Sequence, residues 1–256
     1  MIHDEATIRF YYENGTLLRE SITDMETVQI KYDYSDDYNP EKAAPSSIDA
    51  RVLSWIKKGS RVLELGCSSG YMGKVLWGKG CNVTGVELNP IAAEKRTRFY
   101  ENMIVGDIED PNTLNVIQGY FDVIMCISVL EHLKNPLNVL KRLPVFLKQE
   151  GYFLIALPNI AHWSIRWHIL RGRFDYEDYG ILDETHLRFY TFHTAKKMIR
   201  EVGLDVTDVY FERPDPTLFR CLKRHFPKIA DKILEKFFYK FPNLFGYQFL
   251  FKAIPN

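Results

Sequence analysis

Arg61-Val-Leu-Glu-Leu-Gly-Cys-Ser-Ser-Gly70 is the stretch that decides the fold, because a short apolar run leads directly into a loop with two glycines. The residues that follow it, up to position 79, have a helical pattern that ends at Gly80. Gly66 and Gly70 allow the backbone to turn tightly and to approach a bound ligand closely. In α/β sheets, ligands bind at the carboxyl ends of the strands. The stretch therefore predicts a ligand-binding loop between a strand and a helix.

Further apolar runs follow at the spacing of strands, and helical patterns separate them. The predicted strands are Arg61–Leu65, Asn82–Glu87, Asn102–Val105, Phe121–Ile127, 152–157, 206–213 and 247–253. Near-continuous apolar runs are typical of strands covered on both faces, and regular strand–helix alternation indicates a parallel sheet. We predict an α/β fold with a doubly wound, seven-stranded, mostly parallel sheet that ends in an antiparallel hairpin.

The regions outside this alternation are predicted to be additions to one domain at residues 45–256. Residues 1–44 are expected to form an extension with a hairpin at Asn14-Gly15, a dipeptide that favours tight turns, and a polar linker. Residues 159–192, here called the lid segment, are rich in aromatic residues, arginine and histidine, and long irregular segments of this kind are often functional. Residues 214–245 are predicted to form a basic helical insert within the terminal hairpin.

Composition excludes several classes of protein. Lys plus Arg and Asp plus Glu both number 33, so the chain lacks the basic excess that a nucleic-acid-binding protein normally has. The four cysteines are scattered, which argues against a disulfide framework. No apolar run approaches the roughly 18 residues of a membrane span, and no signal peptide is evident, so we expect a cytoplasmic protein. The amphipathic pattern at 228–241 fits a helix packed on the protein better than peripheral membrane contact.

Glu87 closes the second strand of the alternation, about 20 residues after Gly66, where an acid can accept both hydrogens of a ribose diol. The glycine loop and Glu87 together indicate a nucleoside ligand. The dinucleotide fingerprint Gly-x-Gly-x-x-Gly needs a glycine where this chain has Ser68, which disfavours a nicotinamide dinucleotide.

Several motifs, in order along the chain, resemble class I S-adenosylmethionine-dependent methyltransferases. The matching stretches are Val62-Leu-Glu-Leu-Gly-Cys-Ser-Ser-Gly70, Val86-Glu87-Leu-Asn-Pro90, Gly106-Asp107-Ile108, Phe121-Asp122-Val-Ile, Ser128-Val-Leu-Glu-His-Leu133 and Gly151-Tyr-Phe-Leu-Ile-Ala-Leu-Pro-Asn159. The resemblance covers roughly residues 45–205 and is greatest to the ubiquinone/menaquinone-biosynthesis-type small-molecule methyltransferases, which also have a stretch similar to Leu182-Asp-Glu-Thr-His-Leu-Arg-Phe-Tyr-Thr191.

This resemblance implies a Rossmann-like methyltransferase fold, S-adenosylmethionine as cofactor and S-adenosylhomocysteine as product. The residues that it implies for cofactor binding are Glu64, Gly66, Cys67, Ser68, Gly70, Glu87, Leu88, Asp107, Ile108 and Ile127. Within this set, Glu87 is implied as the ribose acid and Asp107 as the acid beside the adenine amino group. The family usually has glycine at the position of Ser68; because serine is small, we expect binding to survive.

The acceptor is predicted to be a small molecule, with O-methylation favoured. A hydroxyl acceptor needs a base, and histidine is the usual choice near neutral pH, so His132 and His186 are the candidate bases. Arg188 is a candidate acceptor-binding residue, and the aromatic and arginine-rich lid segment suits an anionic or aromatic and lipophilic acceptor. The same composition also suits a homodimer interface, so the chain is a monomer or a homodimer. No group of residues has an established metal spacing, so we predict no metal site.

Two other functions remain open at this point. The first is an NAD-dependent oxidoreductase, disfavoured by Ser68 and by the order of the motifs after Glu87. The second is a non-catalytic binding protein with the methyltransferase fold, disfavoured because the glycine loop is intact.

Overall fold

The computed structural model describes residues 11–13, 16–19, 43–44, 46–95, 97–212 and 240–256. The predicted turn at Asn14-Gly15, residues 20–42 of the N-terminal extension and residues 214–239 of the basic insert lie outside the described residues. So does most of the amphipathic pattern at 228–241.

Strands and helices alternate through most of the described chain. The strands are β1 Tyr11–Glu13, β2 Thr16–Arg19, β3 Arg61–Leu65, β4 Asn82–Glu87, β5 Asn102–Val105, β6 Phe121–Ile127, β7 Leu147–Pro158, β8 Leu204–Phe211 and β9 Gln248–Pro255. The α-helices are α1 Ile48–Trp55, α2 Tyr71–Gly78, α3 Pro90–Lys95, α4 Pro111–Asn115, α5 Pro136–Arg142, α6 Trp163–Leu170, α7 Phe192–Glu201 and α8 Pro242–Phe245. Short 3-10 helices occupy Thr97–Phe99, Leu130–His132 and Pro144–Phe146.

One mixed sheet contains all the strands of the described chain, in the order β2-β1-β5-β4-β3-β6-β7-β9-β8. Strands β3 to β7 are parallel to one another, and β9 lies antiparallel between β7 and β8. The predicted seven-stranded sheet with its antiparallel terminal hairpin is confirmed. The N-terminal hairpin extends this sheet, because β1 pairs antiparallel with β5 at its edge.

The sequence pattern predicts one helix from Asn135 to Lys148 with a kink at Pro144, and this prediction is wrong. Helix α5 ends at Arg142, a 3-10 turn contains Pro144, and β7 begins at Leu147. Proline lacks a backbone N–H, and its ring clashes with the preceding helical turn. The chain therefore leaves the helix before Pro144 and enters the sheet earlier than its apolar pattern indicates.

Apolar clusters cover both faces of the sheet. Leu63 and Leu65 of β3 belong to one cluster, and Val62 belongs to the other. Side chains alternate between the two faces along a strand, so Glu64 shares the face of Val62. Burial on both faces explains the near-continuous apolar character of the strands. Among the described residues, no helix combines the length and the apolarity needed to cross a bilayer.

Candidate active site

A cavity of about 660 Å³ lies at the carboxyl ends of the parallel strands, within the volume range typical of small-molecule sites. The residues that line the cavity form two groups. The glycine-loop side comprises Gly66, Ser68, Glu87, Leu88, Asp107 and Ile108, which follow β3, β4 and β5. The histidine side comprises Glu131, His132, Asp183, Thr185 and His186, which follow β6 or belong to the lid segment. Ile127, at the end of β6, also lines the cavity.

The glycine loop has the backbone geometry that its sequence indicates. Gly66 has φ +69°, and a Cβ there would lie 2.7 Å from Val129 Cγ2, so no larger residue fits without a shift of its neighbours. Ser68 also has a positive φ, +48°, which is uncommon for a residue with a side chain. Its backbone N–H donates to Glu87 Oε2 at 2.6 Å. This hydrogen bond ties the loop to the end of β4.

Glu87 is held in a fixed orientation at the end of β4. Its Oε1 accepts the backbone N–H of Asn89 at 2.9 Å, and burial raises the pKa of its carboxyl group. Asn89 Oδ1 in turn accepts the backbone N–H groups of Ile91 and Ala92, so Asn89 caps the N-terminus of α3. Backbone N–H groups of the glycine loop and of the residue before α3 therefore hold the acid at the cavity.

Asp107 lies on the loop after β5, where its Oδ1 accepts the backbone N–H of Glu109 at 2.8 Å. The two carboxylate oxygens of Glu109 accept the backbone N–H groups of Lys134 and Asn135, at 2.9 and 2.6 Å. These bonds connect the loop after β5 to the loop after β6, across the mouth of the cavity.

Three of the residues implied for cofactor binding are not among the lining residues. Glu64 is buried on the far side of the loop, where its Oε2 accepts the hydroxyl of Tyr100 at 3.0 Å, and burial raises its pKa to about 8. Cys67 is buried with its Sγ 3.8 Å from Met103 Sδ, and burial raises its pKa. Gly70, with φ +72°, is the N-cap of α2. Glu64 and Cys67 therefore pack into the core beside the loop, and Gly70 makes the turn into α2.

Tyr100 fits beneath the loop only because two neighbours are glycines. A Cβ at Gly73 would lie 2.2 Å from Tyr100 Cζ, and one at Gly85 would lie 2.8 Å from Tyr100 Cε1. Tyr100 is 3% exposed. The ring therefore packs against both α2, which follows the glycine loop, and β4, which lies next to β3 in the sheet.

Glu131 is a deeply buried carboxyl group on the histidine side. It is 1% exposed, its Oε2 has no hydrogen-bond partner, and burial raises its pKa to about 8. Its backbone carbonyl accepts the N–H groups of Leu187 at 2.9 Å and Arg188 at 3.0 Å. The lid segment is thus bonded directly to the 3-10 turn after β6.

The two predicted histidine bases meet at this junction. The rings of His132 and His186 pack edge to face with their centroids 4.8 Å apart. His186 Nδ1 lies 3.1 Å from the carbonyl of Ile181, and His132 Nδ1 lies 3.3 Å from the carbonyl of Thr185. A carbonyl oxygen only accepts, so each Nδ1 carries a proton and, in the neutral ring, each Nε2 carries the lone pair.

The ligand atoms of Glu131, His132 and His186 all lie within 4.8 Å of one another, a distance compatible with one shared metal ion. The sequence gives no metal spacing for this group, because His186 joins it only through the fold. The sequence signals for this group are the Glu-His pair after β6 and the histidine of the lid segment.

No arginine of the lid segment lines the cavity. Arg188 Nη2 donates to the carbonyl of Lys134 at 2.6 Å, Arg166 Nε donates to that of Ala161 at 2.7 Å, and Arg171 lies over the ring of Trp167. Of the lid segment, only the part from Tyr179 to Leu187 lines the cavity, opposite Tyr247 and Gln248. Gln248 Nε2 donates to Ser128 Oγ at 2.5 Å and fixes β9 to the end of β6.

Comparison with known families identifies this arrangement. Residues 38–209 match the model of a family described as a methyltransferase domain. The chain belongs to this methyltransferase family. It is 26% identical over 166 residues to a ubiquinone biosynthesis O-methyltransferase of Pseudomonas aeruginosa, covering 61% of this chain and 72% of the relative. With the corresponding protein of Thiobacillus denitrificans it shares 24% identity over 182 residues, or 68% and 78% of the two chains.

Solved structures agree with the fold. An S-adenosylmethionine-dependent methyltransferase of Archaeoglobus fulgidus aligns with TM-score 0.57 and 20% identity over 80% of this chain and 90% of that one. Magnesium protoporphyrin IX methyltransferase of Synechocystis, solved with S-adenosylhomocysteine, aligns with TM-score 0.51 and 12% identity over 80% and 78% of the two chains. The methyltransferase is therefore an S-adenosylmethionine-dependent enzyme, and S-adenosylmethionine is its cofactor.

The glycine-loop side fits this cofactor. Gly66 leaves room where a Cβ would meet Val129, and Glu87 is oriented by its backbone hydrogen bonds at the end of β4. The cavity continues from these residues to the histidine side. One cavity therefore spans both the glycine-loop side and the histidine side.

Proposed function

We propose that this methyltransferase methylates a hydroxyl oxygen of a neutral small molecule with an apolar or aromatic body. The observation that carries the proposal is the group Glu131, His132 and His186, which lines the same cavity as Glu87 and Asp107. Two of its sequence relatives are named O-methyltransferases, which supports oxygen as the methylated atom.

The glycine-loop side is proposed to bind the cofactor. Glu87 would accept the ribose hydroxyls, because its carboxylate closes β4 at the cavity. Asp107 would accept the adenine amino group, with Ile108 beside the ring. Gly66 and Ser68 would receive the amino-acid end of the cofactor. S-Adenosylmethionine supplies a methyl group on a sulfonium, and its transfer breaks a C–S bond, forms a C–O bond and leaves a neutral thioether.

The histidine side is proposed to remove the hydroxyl proton of the acceptor. His132 Nδ1 lies 3.1 Å from Thr185 Oγ1, and Thr185 Oγ1 donates to Asp183 Oδ1 at 2.6 Å. Because the threonine hydroxyl gives its hydrogen to the carboxylate, it accepts from His132. Asp183, which is 1% exposed, would thus stabilise a protonated His132 through Thr185. His186 is the second candidate base.

The charges of the lining argue for a neutral acceptor. Among the described residues, the charged side chains that line the cavity are the acids Glu87, Asp107, Glu109, Glu131 and Asp183 and the base Lys134. An anionic acceptor would meet mainly carboxylates. Tyr179, Leu187 and Tyr247 add apolar and aromatic surface on the acceptor's side.

A methyl-transfer assay tests this proposal. The protein is incubated with radiolabelled S-adenosylmethionine and panels of small phenols, aliphatic alcohols, amines and carboxylic acids. We expect turnover with hydroxyl acceptors, and we expect His132→Ala and His186→Ala to bind S-adenosylhomocysteine normally while turnover falls at least a hundredfold. His193→Ala, an exposed histidine on α7, is the matched control and should keep full activity. Turnover confined to amines or acids, or full activity in both variants, would contradict the proposal.

A further inference from the structure

Residues 130–135, here called the histidine turn, follow β6 and include His132. Lys134 in this turn is bonded at both of its backbone polar groups. Its N–H donates to Glu109 Oε2 at 2.9 Å, and its carbonyl accepts Arg188 Nη2 at 2.6 Å. Glu109 belongs to the loop after β5, and Arg188 belongs to the lid segment. A single residue of the histidine turn therefore joins these two segments.

Glu109 is itself fixed through both its side chain and its backbone. Its second carboxylate oxygen, Oε1, accepts the backbone N–H of Asn135 at 2.6 Å, and its own backbone N–H donates to Asp107 Oδ1 at 2.8 Å. Hydrogen bonds to a charged carboxylate are shorter and stronger than those between neutral groups. Asn135 is in turn the N-cap of α5. Glu109 therefore links Asp107, the proposed partner of the adenine amino group, to the start of α5.

Arg188 holds the histidine turn without lining the cavity. The backbone N–H groups of Leu187 and Arg188 donate to the carbonyl of Glu131 at 2.9 and 3.0 Å, and the guanidinium adds the bond to Lys134. The lid segment is thus bonded to the turn at two residues, one before and one after His132 in the chain. Because Arg188 lies outside the cavity lining, these bonds give it a positioning role.

The same bonds bear on a base that has to reach a hydroxyl proton. His132 lines the cavity on the turn that Glu109 and Arg188 hold. A general base has to come within hydrogen-bonding distance of the proton that it removes. A displacement of about 1 Å, even one caused by a mutation away from the reacting atoms, can lower a rate by about a hundredfold. Loss of either bond is therefore expected to impair catalysis more than cofactor binding.

We infer that Glu109 and Arg188 are positioning residues, which hold His132 in place and connect the cofactor's part of the cavity to the lid segment. Energetic coupling can pass through a contiguous chain of hydrogen bonds between packed elements. An adenosyl group bound at Asp107 would restrain the loop after β5, and Glu109 would transmit this restraint to the histidine turn and from there to the lid segment. The place of the cofactor and the base role of His132 rest on the proposed function, whereas the hydrogen bonds do not.

Amide hydrogen exchange tests the connection without any acceptor. In the free protein, Glu109→Ala should speed exchange at residues 134–135 by roughly tenfold or more, because both amides lose their hydrogen-bond acceptor. Saturating S-adenosylhomocysteine should slow exchange at residues 187–188 by roughly fivefold or more in wild type and not in Glu109→Ala. Glu94→Ala, at an exposed position on α3, is the matched control and should behave like wild type. Equal slowing at 187–188 in wild type and Glu109→Ala, or no slowing in wild type, would overturn the inference.

Kinetics with a hydroxyl acceptor tests the positioning of His132. Glu109→Ala and Arg188→Ala should each lower kcat by roughly tenfold to a hundredfold while KM for S-adenosylmethionine stays near that of wild type. Glu109→Gln, whose one carbonyl oxygen can still accept one of the two N–H groups, should recover part of the loss. Arg173→Ala, at an exposed arginine of the lid segment, is the control and should keep full activity. Full activity in Glu109→Ala and Arg188→Ala would contradict the positioning role, as would a loss that only follows weaker cofactor binding.

The proposed function fails separately from this inference. An absence of turnover with every hydroxyl acceptor contradicts O-methylation, and the exchange measurement still decides whether Glu109 connects the two segments. Slowing at the lid segment that does not depend on Glu109 overturns the inference even where O-methylation is observed.

Discussion

Replacing Glu64 by glutamine should remove a pH-dependent loss of stability. Glu64 is 6% exposed, and burial raises its pKa to about 8 from the ordinary value of 4.5. The folded protein therefore holds the Glu64 proton more tightly than the unfolded chain does. The proton-linked stability is complete below pH 4.5 and is lost as the pH rises toward 8. Between pH 5 and pH 8 the loss is on the order of 3 kcal/mol, at about 1.36 kcal/mol per unit of pKa shift.

Urea unfolding at several pH values between 5 and 8 measures this effect. Glutamine does not titrate, and its carbonyl oxygen can still accept the hydroxyl of Tyr100. The free energy of unfolding of Glu64→Gln should therefore increase relative to that of wild type as the pH rises. Other buried acids titrate in both proteins and cancel in the difference. Glu150→Gln, at an exposed position before the core of β7, should leave the pH dependence of wild type unchanged. Parallel stability curves for wild type and Glu64→Gln would refute the reasoning.

Three further predictions concern the cofactor site and the packing beneath it. Glu87→Ala should weaken S-adenosylhomocysteine binding tenfold to a hundredfold in calorimetry, because losing a hydrogen bond to a charged group costs about 1.5–3 kcal/mol. Glu94→Ala, on the exposed face of α3, is the control and should bind S-adenosylhomocysteine normally. Asp107→Ala should lower the affinity for adenosyl ligands more than it lowers the stability of the fold, and equal binding by wild type and variant would contradict its role. Gly73→Ala should destabilise the protein by about 1–3 kcal/mol in urea unfolding, because the added Cβ meets Tyr100. The Cβ added by Gly78→Ala in the same helix meets no atom within 4 Å, so this variant should be neutral or stabilising by up to about 1 kcal/mol. A larger loss of stability in Gly78→Ala than in Gly73→Ala would contradict the packing.

The order of strands and helices could be predicted because it depends on local patterns. The apolar runs at β3 and β6 and the caps at Asn89 and Asn135 are signals within a few residues of the elements that they define. The end of α5 could not be placed so well, because the continued apolar pattern competes with Pro144.

The candidate site could be predicted only in part, because some of its contacts join segments that are far apart in the sequence. Glu87 ends β4 and Asp107 lies just after β5, and the carboxyl ends of parallel strands meet at one edge of the sheet. The contact between His132 and His186 depends on how the lid segment folds back, and no short-range pattern encodes that path. Glu64 differs from these residues: its position in a known motif implies cofactor contact, and in the structure its buried carboxyl group accepts the hydroxyl of Tyr100.

Parallel calorimetric titrations of the wild-type protein with S-adenosylhomocysteine and with NAD⁺ test the central claim most directly, namely that the glycine-loop side binds an adenosyl cofactor of methyl transfer. The fold, Ser68 at the loop and Glu87 at the end of β4 predict saturation by one S-adenosylhomocysteine per chain and no binding of NAD⁺ at the same concentrations. Saturable binding of NAD⁺ with no binding of S-adenosylhomocysteine would contradict the account.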